Sequence, residues 1–375
     1  MTRVAPQVLM LSKPVAPPWD DSTKNAVRDQ AVFGERYTYR VLVPRGTRSP
    51  VPGAIAEPIY RSRGRYSPGL RQNLRVMMRG LRPGGADLFH YYFAPNRLSC
   101  AAGRIQRRAA GVPTVHTVCS APLSYAIAAR SLFADRVIVL SEHARRRLRD
   151  AGVSKDRLRL IRPGVTAIEP PAGDDRRRIR AEAGAGDGPL ILFAGDLEPS
   201  RGAETVVRSA HFVAERHPEA TTVLACRSKT KAGNSARRKL EREVSRAGLG
   251  RRIVFRERIS RMPALVGASD LVILPAESLY AKMDAPLVLL EAMAQGIPIV
   301  ISAVPPLDEL LAGGGGIGVP PGDPQALARA VSHLLDDPDS ARELGEAGRR
   351  TALETFCARR NAREVESVYD ELLKA

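Results

Sequence analysis

The amino-acid sequence predicts an α/β protein made of two doubly wound, Rossmann-like domains that face a central cleft. Short apolar runs alternate with helical patterns along the chain, and this alternation indicates parallel sheets. One segment with two prolines and a glycine, 169–175, interrupts the alternation and has the composition of a linker. The length of 375 residues also exceeds the roughly 250 to 300 at which single hydrophobic cores stop growing. We therefore predict an N-terminal domain over residues 1–168 and a C-terminal domain over residues 169–357.

Short apolar runs are the predicted strands of both domains. In the N-terminal domain they are 7–11, 39–43, 87–92, 113–117, 136–140 and 158–161. In the C-terminal domain they are 190–194, 220–225, 253–255, 271–274, 297–301 and 318–319. Helical patterns are clearest over 203–216, 287–295, 325–335 and 358–373. Doubly wound sheets bind ligands beyond the carboxyl ends of their strands, so the loops that follow these strands are candidate sites.

The stretch 270–302 predicts a strand, a helix and a second strand around an anion site. Pro286 fits the first turn of the helix, and Gly296 ends it. The free N–H groups of Leu287 and Val288 would point, with the positive end of the helix dipole, at the mouth of the preceding loop. An anion is therefore the predicted ligand of this loop.

Two polar residues of this helix, Glu291 and Gln295, lie four apart and therefore on one face. A solvated stripe gives the same pattern, and on the pattern alone it is the more common explanation. The functional alternative is a carboxylate one turn inside an anion-binding helix end. Such a carboxylate could accept hydrogen bonds from paired hydroxyls, such as those of a ribose.

The segment GDLEPSRG, residues 195–202, joins a predicted strand to a predicted helix. In it Gly195 and Gly202 bracket a cation, Arg201, and a pyrophosphate bound here would require positive charge. Loops of this composition also join strands to helices in proteins that bind no phosphate, so both interpretations stay open.

The composition favours anionic partners without choosing among them. A net charge of +18 and an isoelectric point near 10.4 attract nucleic acid, anionic lipid or phosphorylated substrates. No recognition module is apparent and only 5% of residues are aromatic, so nucleic acid is not an expected partner. Arginine is spread along the whole chain, and solvated faces explain the charge as well as a dedicated surface does.

The sequence predicts no metal, cofactor or membrane span. The four cysteines show no CxxC pair, so neither a disulfide framework nor a zinc site is expected. Asp337-Pro338-Asp339 imitates an Asp-x-Asp metal motif, but its position between two helices favours a helix cap. The run 8–11 is too short for a signal-peptide core, and 286–304 is too polar and strand-like to span a membrane. We therefore expect a cytoplasmic protein.

A helical pattern over 70–82 combines arginines with apolar residues. The arginines Arg71, Arg75, Arg79 and Arg82 recur among Leu70, Leu74, Met77, Met78 and Leu81. Such a helix could lie on anionic lipid, which would place the protein peripherally on the inner face of the cytoplasmic membrane. The alternative, slightly preferred on the pattern, is a solvated helix face packed on the sheet.

Several segments resemble, in order and spacing, those of a known enzyme family. In the second half they are AGDLEPSRG, ASDLVILPA, PLVLLEAMAQGIPIVIS, IGVPPGDPQALARAVSHLLDDP and ELGEAGRRTALETF. In the first half they are DLFHYYF, PTVHTV, ADRVIVLSEHARRRL and IRPGV. This series resembles the retaining nucleotide-sugar glycosyltransferases of the GT-B fold, the family 4 or group 1 enzymes that include mannosyl- and glucosyltransferases. The resemblance covers most of the chain and is strongest after Leu190.

The resemblance implies a retaining transfer of a sugar from a nucleotide-diphosphate sugar to a hydroxyl of a glycan, glycolipid or small molecule. It implies an acceptor-binding N-terminal domain and a nucleotide-sugar-binding C-terminal domain. It also implies that the last helix, 358–375, packs back on the N-terminal domain. The alternative is a protein of the same fold that binds nucleotide sugars without catalysis, because two residues of the family pattern are changed.

Single residues take on roles from this resemblance. Glu291 matches the acid that holds the ribose hydroxyls of the donor, and Leu287 and Val288 match the backbone donors to the distal phosphate. Arg201 takes the place of the family's lysine beside the leaving diphosphate. His116 matches a histidine near the transferred sugar, although a lone strand histidine is more often a satisfied core residue.

Two residues of the family pattern are replaced. The first of its paired glutamates falls on Met283, and Asp284 is the nearby acid that could reach the same sugar hydroxyls. The arginine of its phosphate loop falls on Asp196, and Lys282 is the candidate replacement cation. Two further cations could serve instead, Arg256 and Arg258.

The loop after the first predicted strand, 13–25, also departs from the glycine-rich form common in the family. Its tryptophan, Trp19, could stack on a sugar ring. Asp20, Asp21 and Ser22 are candidate helix caps, and a proline-stiffened turn with capping acids is the alternative to a substrate contact.

Overall fold

Two compact units make up the chain. The computed structural model describes residues 5–61, 69–198, 200–228 and 230–374. Unit 1 holds the residues up to Gly164, the segment Ala281–Asp284 and the residues from Phe356 onward, and unit 2 holds Val165–Tyr280 and Ala285–Thr355. The first division lies a few residues before the boundary predicted at 168/169, and the segment Ala281–Asp284 lies in unit 1 rather than with the residues around it.

Unit 1 is built on a seven-stranded parallel sheet. Its strands are β1 (Gln7–Leu11), β2 (Thr38–Pro44), β3 (Ile55–Tyr60), β4 (Leu88–Phe93), β5 (Thr114–Val118), β6 (Arg136–Val139) and β7 (Leu158–Leu160). They lie in the order β3-β2-β1-β4-β5-β6-β7, so the strand order reverses between β1 and β4. Each predicted strand of the first half is present within one residue of its predicted bounds.

Strand β3 is absent from the predicted set. Its sequence, IAEPIY, contains a glutamate and a proline. Pro58 has no backbone N–H and therefore cannot donate a hydrogen bond to a neighbouring strand. The strand lies at the edge of the sheet, where proline is tolerated. Glu57 accepts hydrogen bonds from Arg40 at 2.7 Å and from Arg79 at 2.7 Å, so the carboxylate is buried in a paired state.

Helices cover the unit 1 sheet. They are α1 (Ser22–Phe33), α2 (Leu70–Arg79), α3 (Arg97–Ala110), α4 (Tyr125–Ser131) and α5 (Glu142–Asp150). The helices α2, α3, α4 and α5 contact one another in chain order. Asp21 caps α1 by accepting from the N–H groups of Thr23 at 3.0 Å and Lys24 at 3.2 Å, which confirms one of the predicted caps.

Unit 2 is built on a six-stranded parallel sheet. Its strands are β8 (Leu190–Phe193), β9 (Thr221–Ala225), β10 (Ile253–Arg256), β11 (Leu271–Leu274), β12 (Ile299–Ser302) and β13 (Gly316–Val319), in the order β10-β9-β8-β11-β12-β13. Its helices are α6 (Gly173–Ala183), α7 (Gly202–Arg216), α8 (Lys231–Arg246), α9 (Met262–Ala268), α10 (Leu287–Ala294), α11 (Pro324–Asp336) and α12 (Pro338–Thr355). All six predicted strands of the second half are present within two residues of their predicted bounds.

Two helix caps lie at the end of unit 2. Asp323 accepts from the N–H of Ala326 at 2.9 Å, at the start of α11. Asp337 accepts from the N–H of Ser340 at 3.0 Å, at the start of α12, so the Asp-x-Asp segment serves as a cap.

No helix among the described residues is long and apolar enough to cross a bilayer.

The last helix, α13 (Ala358–Leu373), belongs to unit 1 and packs against α1. Its fully buried Glu366 accepts hydrogen bonds from the N–H groups of Glu35 at 2.8 Å and Arg36 at 3.0 Å. It also accepts from the Tyr39 hydroxyl at 2.8 Å, and burial together with this carboxylate raises the pKa of Tyr39. The carboxylate is thus paired on several sides, as a buried charge must be.

Candidate functional site

The carboxyl edge of the unit 2 sheet carries the loops that the sequence singled out. Strands β8 and β11 are neighbours, and the strand order reverses between them. Helix α7 follows β8 along the chain, and α10 follows β11. Two helix N-termini therefore lie beyond adjacent strand ends, at the position where doubly wound sheets bind anionic ligands.

The loop between β8 and α7 is shaped by the ring of Phe193, the last residue of β8. A Cβ on Gly195 would lie 2.5 Å from the Phe193 Cζ, and a Cβ on Gly202 would lie 3.3 Å from its Cε2. Both glycines therefore allow the loop backbone to pack closely on this ring. Gly195, in the loop where a pyrophosphate was one of the two predictions, thus has a steric role in holding the loop backbone.

Arg201 stands between this loop and α7. Its backbone is left-handed, with φ of 51°, and it precedes α7 without forming a side-chain cap. Its side chain is 61% exposed and contacts two acids, with Nη1 3.3 Å from an oxygen of Glu277 and Nε 3.6 Å from an oxygen of Glu204. Exposed pairs of this kind contribute at most about 1 kcal/mol, so the guanidinium can exchange them for a ligand anion.

The two acids beside Arg201 have partners of their own. Lys239 lies 3.1 Å from Glu204 and, by donating a hydrogen bond, holds the pKa of Glu204 below its usual value. The N–H of Glu277 donates to the carbonyl of Ser200 at 2.8 Å, which ties the loop after β11 to the loop after β8. The two loops are therefore joined by a backbone hydrogen bond next to the Arg201 guanidinium.

The start of α10 offers unpaired donors. Pro286 is its N-cap, one position before the predicted first turn, because its ψ of 127° is outside the helical range. It provides no side-chain cap, and among the described residues no acceptor is recorded for the N–H groups of Leu287 and Val288. The predicted donors are therefore present and half-exposed.

Glu291 and Gln295 do not form a solvated stripe. Gln295 is the C-cap of α10, is 3% exposed, and donates to the carbonyl of Pro263 at 3.0 Å. It therefore has a structural role between α10 and α9. Glu291 is half-buried one turn earlier, and its predicted role as a ribose ligand stays a prediction.

The step Lys282-Met283-Asp284 lies in unit 1. The carbonyl of Lys282 accepts from the N–H of Ala121 at 2.8 Å, and the Asp284 carboxylate accepts from the Ser141 hydroxyl at 2.5 Å. Asp284 is 4% exposed, and the preceding residue, Met283, is also buried. The predicted sugar contact of Asp284 and the predicted cation role of Lys282 stay predictions.

His116 lies in the apolar core of unit 1. Its ring packs against Phe93, with 4.4 Å between centroids, and against Phe133, with 5.6 Å. Its Nε2 lies 3.1 Å from the carbonyl of Phe93, and burial lowers the pKa of His116 to about 4. The ring is therefore uncharged at neutral pH and has no exposed surface, which weighs against direct contact with a sugar.

The remaining predicted residues have partners that limit their roles. Arg256 donates to the carbonyl of Ala183 at 2.9 Å, which holds it beside the end of α6, whereas Arg258 is exposed after β10. The guanidinium of Arg28 lies over the Trp19 ring, 5.0 Å from its centroid. One face of that ring is thus covered by the protein itself.

No pattern in the sequence pointed to Glu277. It follows β11 in a loop without a motif, and its contact with Arg201 joins positions 76 apart in the chain. Only the pairing of β8 with β11 brings the two loops together. The exposed Arg201 guanidinium and the starts of α7 and α10 thus place positive charge in the loops that follow β8 and β11.

Comparison with known proteins identifies related sequences for both units. The family described as "Glycosyl transferases group 1" matches residues 175–351, and "Glycosyltransferase Family 4" matches residues 30–167. The GDP-mannose-dependent alpha-(1-6)-phosphatidylinositol monomannoside mannosyltransferase of Mycolicibacterium smegmatis is 31% identical over 60% of this chain and 59% of its own length. The D-inositol 3-phosphate glycosyltransferase of Acidothermus cellulolyticus is 31% identical over 68% of this chain and 60% of its own length. The chain thus spans about three fifths of the length of these curated relatives.

Solved structures share the fold over nearly the whole chain. Anabaena HepE in complex with UDP and glucose has a TM-score of 0.78 and 18% identity, and covers 98% of this chain and 100% of its own. Sucrose-phosphate synthase from Thermosynechococcus elongatus has a TM-score of 0.79 and 24% identity, and covers 98% of this chain and 99% of its own. At these identities the likeness concerns the fold.

Proposed function

Because the chain belongs to the group 1 and family 4 glycosyltransferases and has their GT-B fold, we propose that it transfers a sugar from a nucleotide-diphosphate sugar to a hydroxyl acceptor, with retention of anomeric configuration. The observation that carries this proposal is the pair of helix starts, α7 and α10, beyond the adjacent strands β8 and β11. Neither helix start has a side-chain cap hydrogen bond. Both dipoles and the Arg201 guanidinium therefore favour an anion with several charges, such as a diphosphate.

In the proposed reaction the bond between the anomeric carbon and the diphosphate oxygen breaks, and the acceptor hydroxyl oxygen bonds to that carbon. The hydroxyl proton passes to the leaving diphosphate. Negative charge develops on the diphosphate as the bond breaks, and Arg201 with the N–H groups of Leu287 and Val288 stabilises it. No resident metal or cofactor is needed in this scheme, because the protein supplies the positive charge itself.

The two units divide the substrates in this proposal. Unit 2 binds the nucleotide diphosphate, with Glu291 accepting from the ribose hydroxyls, and unit 1 binds the acceptor. Asp284, which accepts from Ser141 in unit 1, is the candidate contact for the transferred sugar. His116 is fully buried between aromatic rings, and its predicted position near the transferred sugar stays a prediction.

The names of the relatives suggest where the donor and acceptor are to be sought. One relative is named for GDP-mannose and a phosphatidylinositol mannoside, and another for D-inositol 3-phosphate. Polyol hydroxyls, free or on a glycolipid, are therefore the first acceptors to test. Purine and pyrimidine sugar nucleotides both belong in the donor set, because the HepE complex contains UDP.

Replacing Glu291 with Ala is expected to raise KM for the sugar nucleotide roughly 10- to 100-fold, because hydrogen bonds to a charged acceptor contribute about 1.5 to 3 kcal/mol. Steady-state kinetics with the active donor measures the change. Glu343→Ala, which removes an exposed acid of α12, is the matched control and is expected to behave as wild type. A Glu291→Ala variant with unchanged KM and kcat would remove this residue from the site.

A further inference from the structure

An ion pair at the surface of unit 2 joins the loop after β8 to the loop after β11. Arg201 Nη1 lies 3.3 Å from Glu277 Oε2, and the two side chains are 61% and 31% exposed. Both loops leave the carboxyl edge of the sheet, because each follows a strand and precedes a helix. An anionic ligand of this edge would therefore meet a guanidinium that already has an acid partner.

The Glu277 carboxylate is held in place by the loops around it. Its backbone N–H donates to the carbonyl of Ser200 at 2.8 Å. A Cβ on Gly322 would lie 3.2 Å from Glu277 Oε1, so the loop after β13 lies against the carboxylate. Arg201 has the longer and more exposed side chain, and it is therefore the partner that can turn toward a ligand.

The two acids beside Arg201 differ in what remains when the guanidinium leaves. Glu204 lies 3.6 Å from Arg201 Nε and 3.1 Å from Lys239 Nζ, so it keeps a cation. Among the described residues, Glu277 forms an ion pair with Arg201 alone. Binding of an anion by Arg201 would therefore break the Glu277 pair without replacing it.

The lost pair reduces the affinity of the site for an anion. The free energy of the Arg201–Glu277 contact is present before the ligand binds and must be given up when the guanidinium turns to a phosphate oxygen. An interaction made only in the unliganded state opposes binding by its full strength. For an exposed ion pair this strength is modest, so the effect adjusts affinity and does not abolish it.

We propose that Glu277 is a positioning residue that competes with the ligand diphosphate for the Arg201 guanidinium. It holds the guanidinium when no anion is bound, and it weakens the binding of the nucleoside diphosphate that is left after sugar transfer. Release of that product is thereby favoured. This inference rests on the proposed function, because it requires a diphosphate at Arg201.

Calorimetric titration of the full chain with UDP, GDP, ADP, CDP and dTDP tests the competition. Glu277→Gln removes the charge and keeps the side-chain shape. It should lower the dissociation constant of the nucleoside diphosphate that binds roughly fivefold, the factor that corresponds to the upper range for one exposed ion pair. The unfolding midpoint without ligand should stay close to the wild-type value, because the pair is exposed.

Glu346→Gln on α12 is the matched control in the same unit. Glu346 Oε1 lies 3.4 Å from Arg342, whose side chain is 60% exposed, so the variant removes the same charge from a similar pair. It should leave the dissociation constant near the wild-type value, which separates the competition from a general change in net charge.

A double-mutant cycle shows whether the effect acts through the guanidinium. In the Arg201→Ala background Glu277→Gln should leave the dissociation constant nearly unchanged, because the contact is already absent. Unchanged or weaker binding in the Glu277→Gln single variant would overturn the inference. The same tightening with Glu346→Gln, or in the Arg201→Ala background, would overturn it as well. If none of the nucleoside diphosphates bound the wild type, the proposed function itself would be contradicted, and the inference with it.

Discussion

Replacing Arg201 with Ala is expected to lower kcat for sugar transfer by about 10²- to 10³-fold, the loss typical of one preorganised group that stabilises developing negative charge. The guanidinium lies beside the uncapped start of α7 and is held only by exposed pairs with Glu277 and Glu204. A bound diphosphate would compete with those pairs, and its charge grows as the glycosidic bond breaks. The effect should therefore be larger on kcat than on KM for the donor.

Two variants sharpen the Arg201 test. Arg201→Lys keeps a positive charge and should retain most of the activity, with a loss from the missing second donor. Arg208→Ala removes an exposed cation from the same helix and should leave kcat near the wild-type value. If Arg201→Ala and Arg208→Ala gave the same small change, Arg201 would not contact the leaving group.

Replacing Glu366 with Ala is expected to destabilise unit 1 by about 3 to 5 kcal/mol, the range found when one partner of a buried charge pair is removed. The carboxylate is fully buried and accepts from two backbone N–H groups, from Tyr39 and from Arg36. Without the carboxylate, the Arg36 and Tyr39 donors lose their acceptor. The segment that follows α1 then loses its hydrogen bonds to α13.

Urea unfolding followed by tryptophan fluorescence measures this loss. The chain has one tryptophan, Trp19, and it lies in unit 1, so its signal reports the unit that contains Glu366. Asp370→Ala removes a more exposed acid that also pairs with Arg36, and it should cost about 1 kcal/mol or less. A Glu366→Ala midpoint equal to that of Asp370→Ala would show that the buried network does not hold α13 in place.

The parts of the fold that the sequence predicted are those with local patterns. Strands such as 271–274 are continuous apolar runs, which is typical of parallel strands that are buried on both faces. Such runs can be recognised in the sequence. Strand β3 was missed because Glu57 and Pro58 break that pattern. Its stability comes from pairing with β2 and from the Arg40 and Arg79 contacts of Glu57, which only the folded sheet creates.

The candidate site shows the same division. Leu287, Val288 and Arg201 could be predicted because helix starts and glycine-bracketed cations have local signatures. Glu277 could not, because its contact with Arg201 depends on two loops brought together by strand pairing. For His116 the sequence left two alternatives, a histidine near the transferred sugar and a core residue, and its ring packs between Phe93 and Phe133.

The pattern over 70–82 left two alternatives, a lipid-facing helix and a solvated helix face, and both stay predictions. An amphipathic pattern does not show which side of a helix faces the protein. In the structure Val76 packs inward, whereas Leu70, Leu74 and Met78 stay exposed. Leu81 and Arg82 lie beyond the end of α2, which ends at Arg79, so the predicted helix was too long.

Thermal unfolding of the full chain with a panel of nucleoside diphosphates, followed by incubation with the matching sugar nucleotides, tests the central claim most directly. The proposed diphosphate site predicts that at least one nucleoside diphosphate stabilises the chain by about 2.7 kcal/mol at 100 times its dissociation constant. It also predicts that the corresponding sugar nucleotide is consumed and that Arg201→Ala reduces both effects. If no nucleoside diphosphate changed the unfolding temperature and no sugar nucleotide were consumed, the assignment of unit 2 as a donor-binding unit would be contradicted.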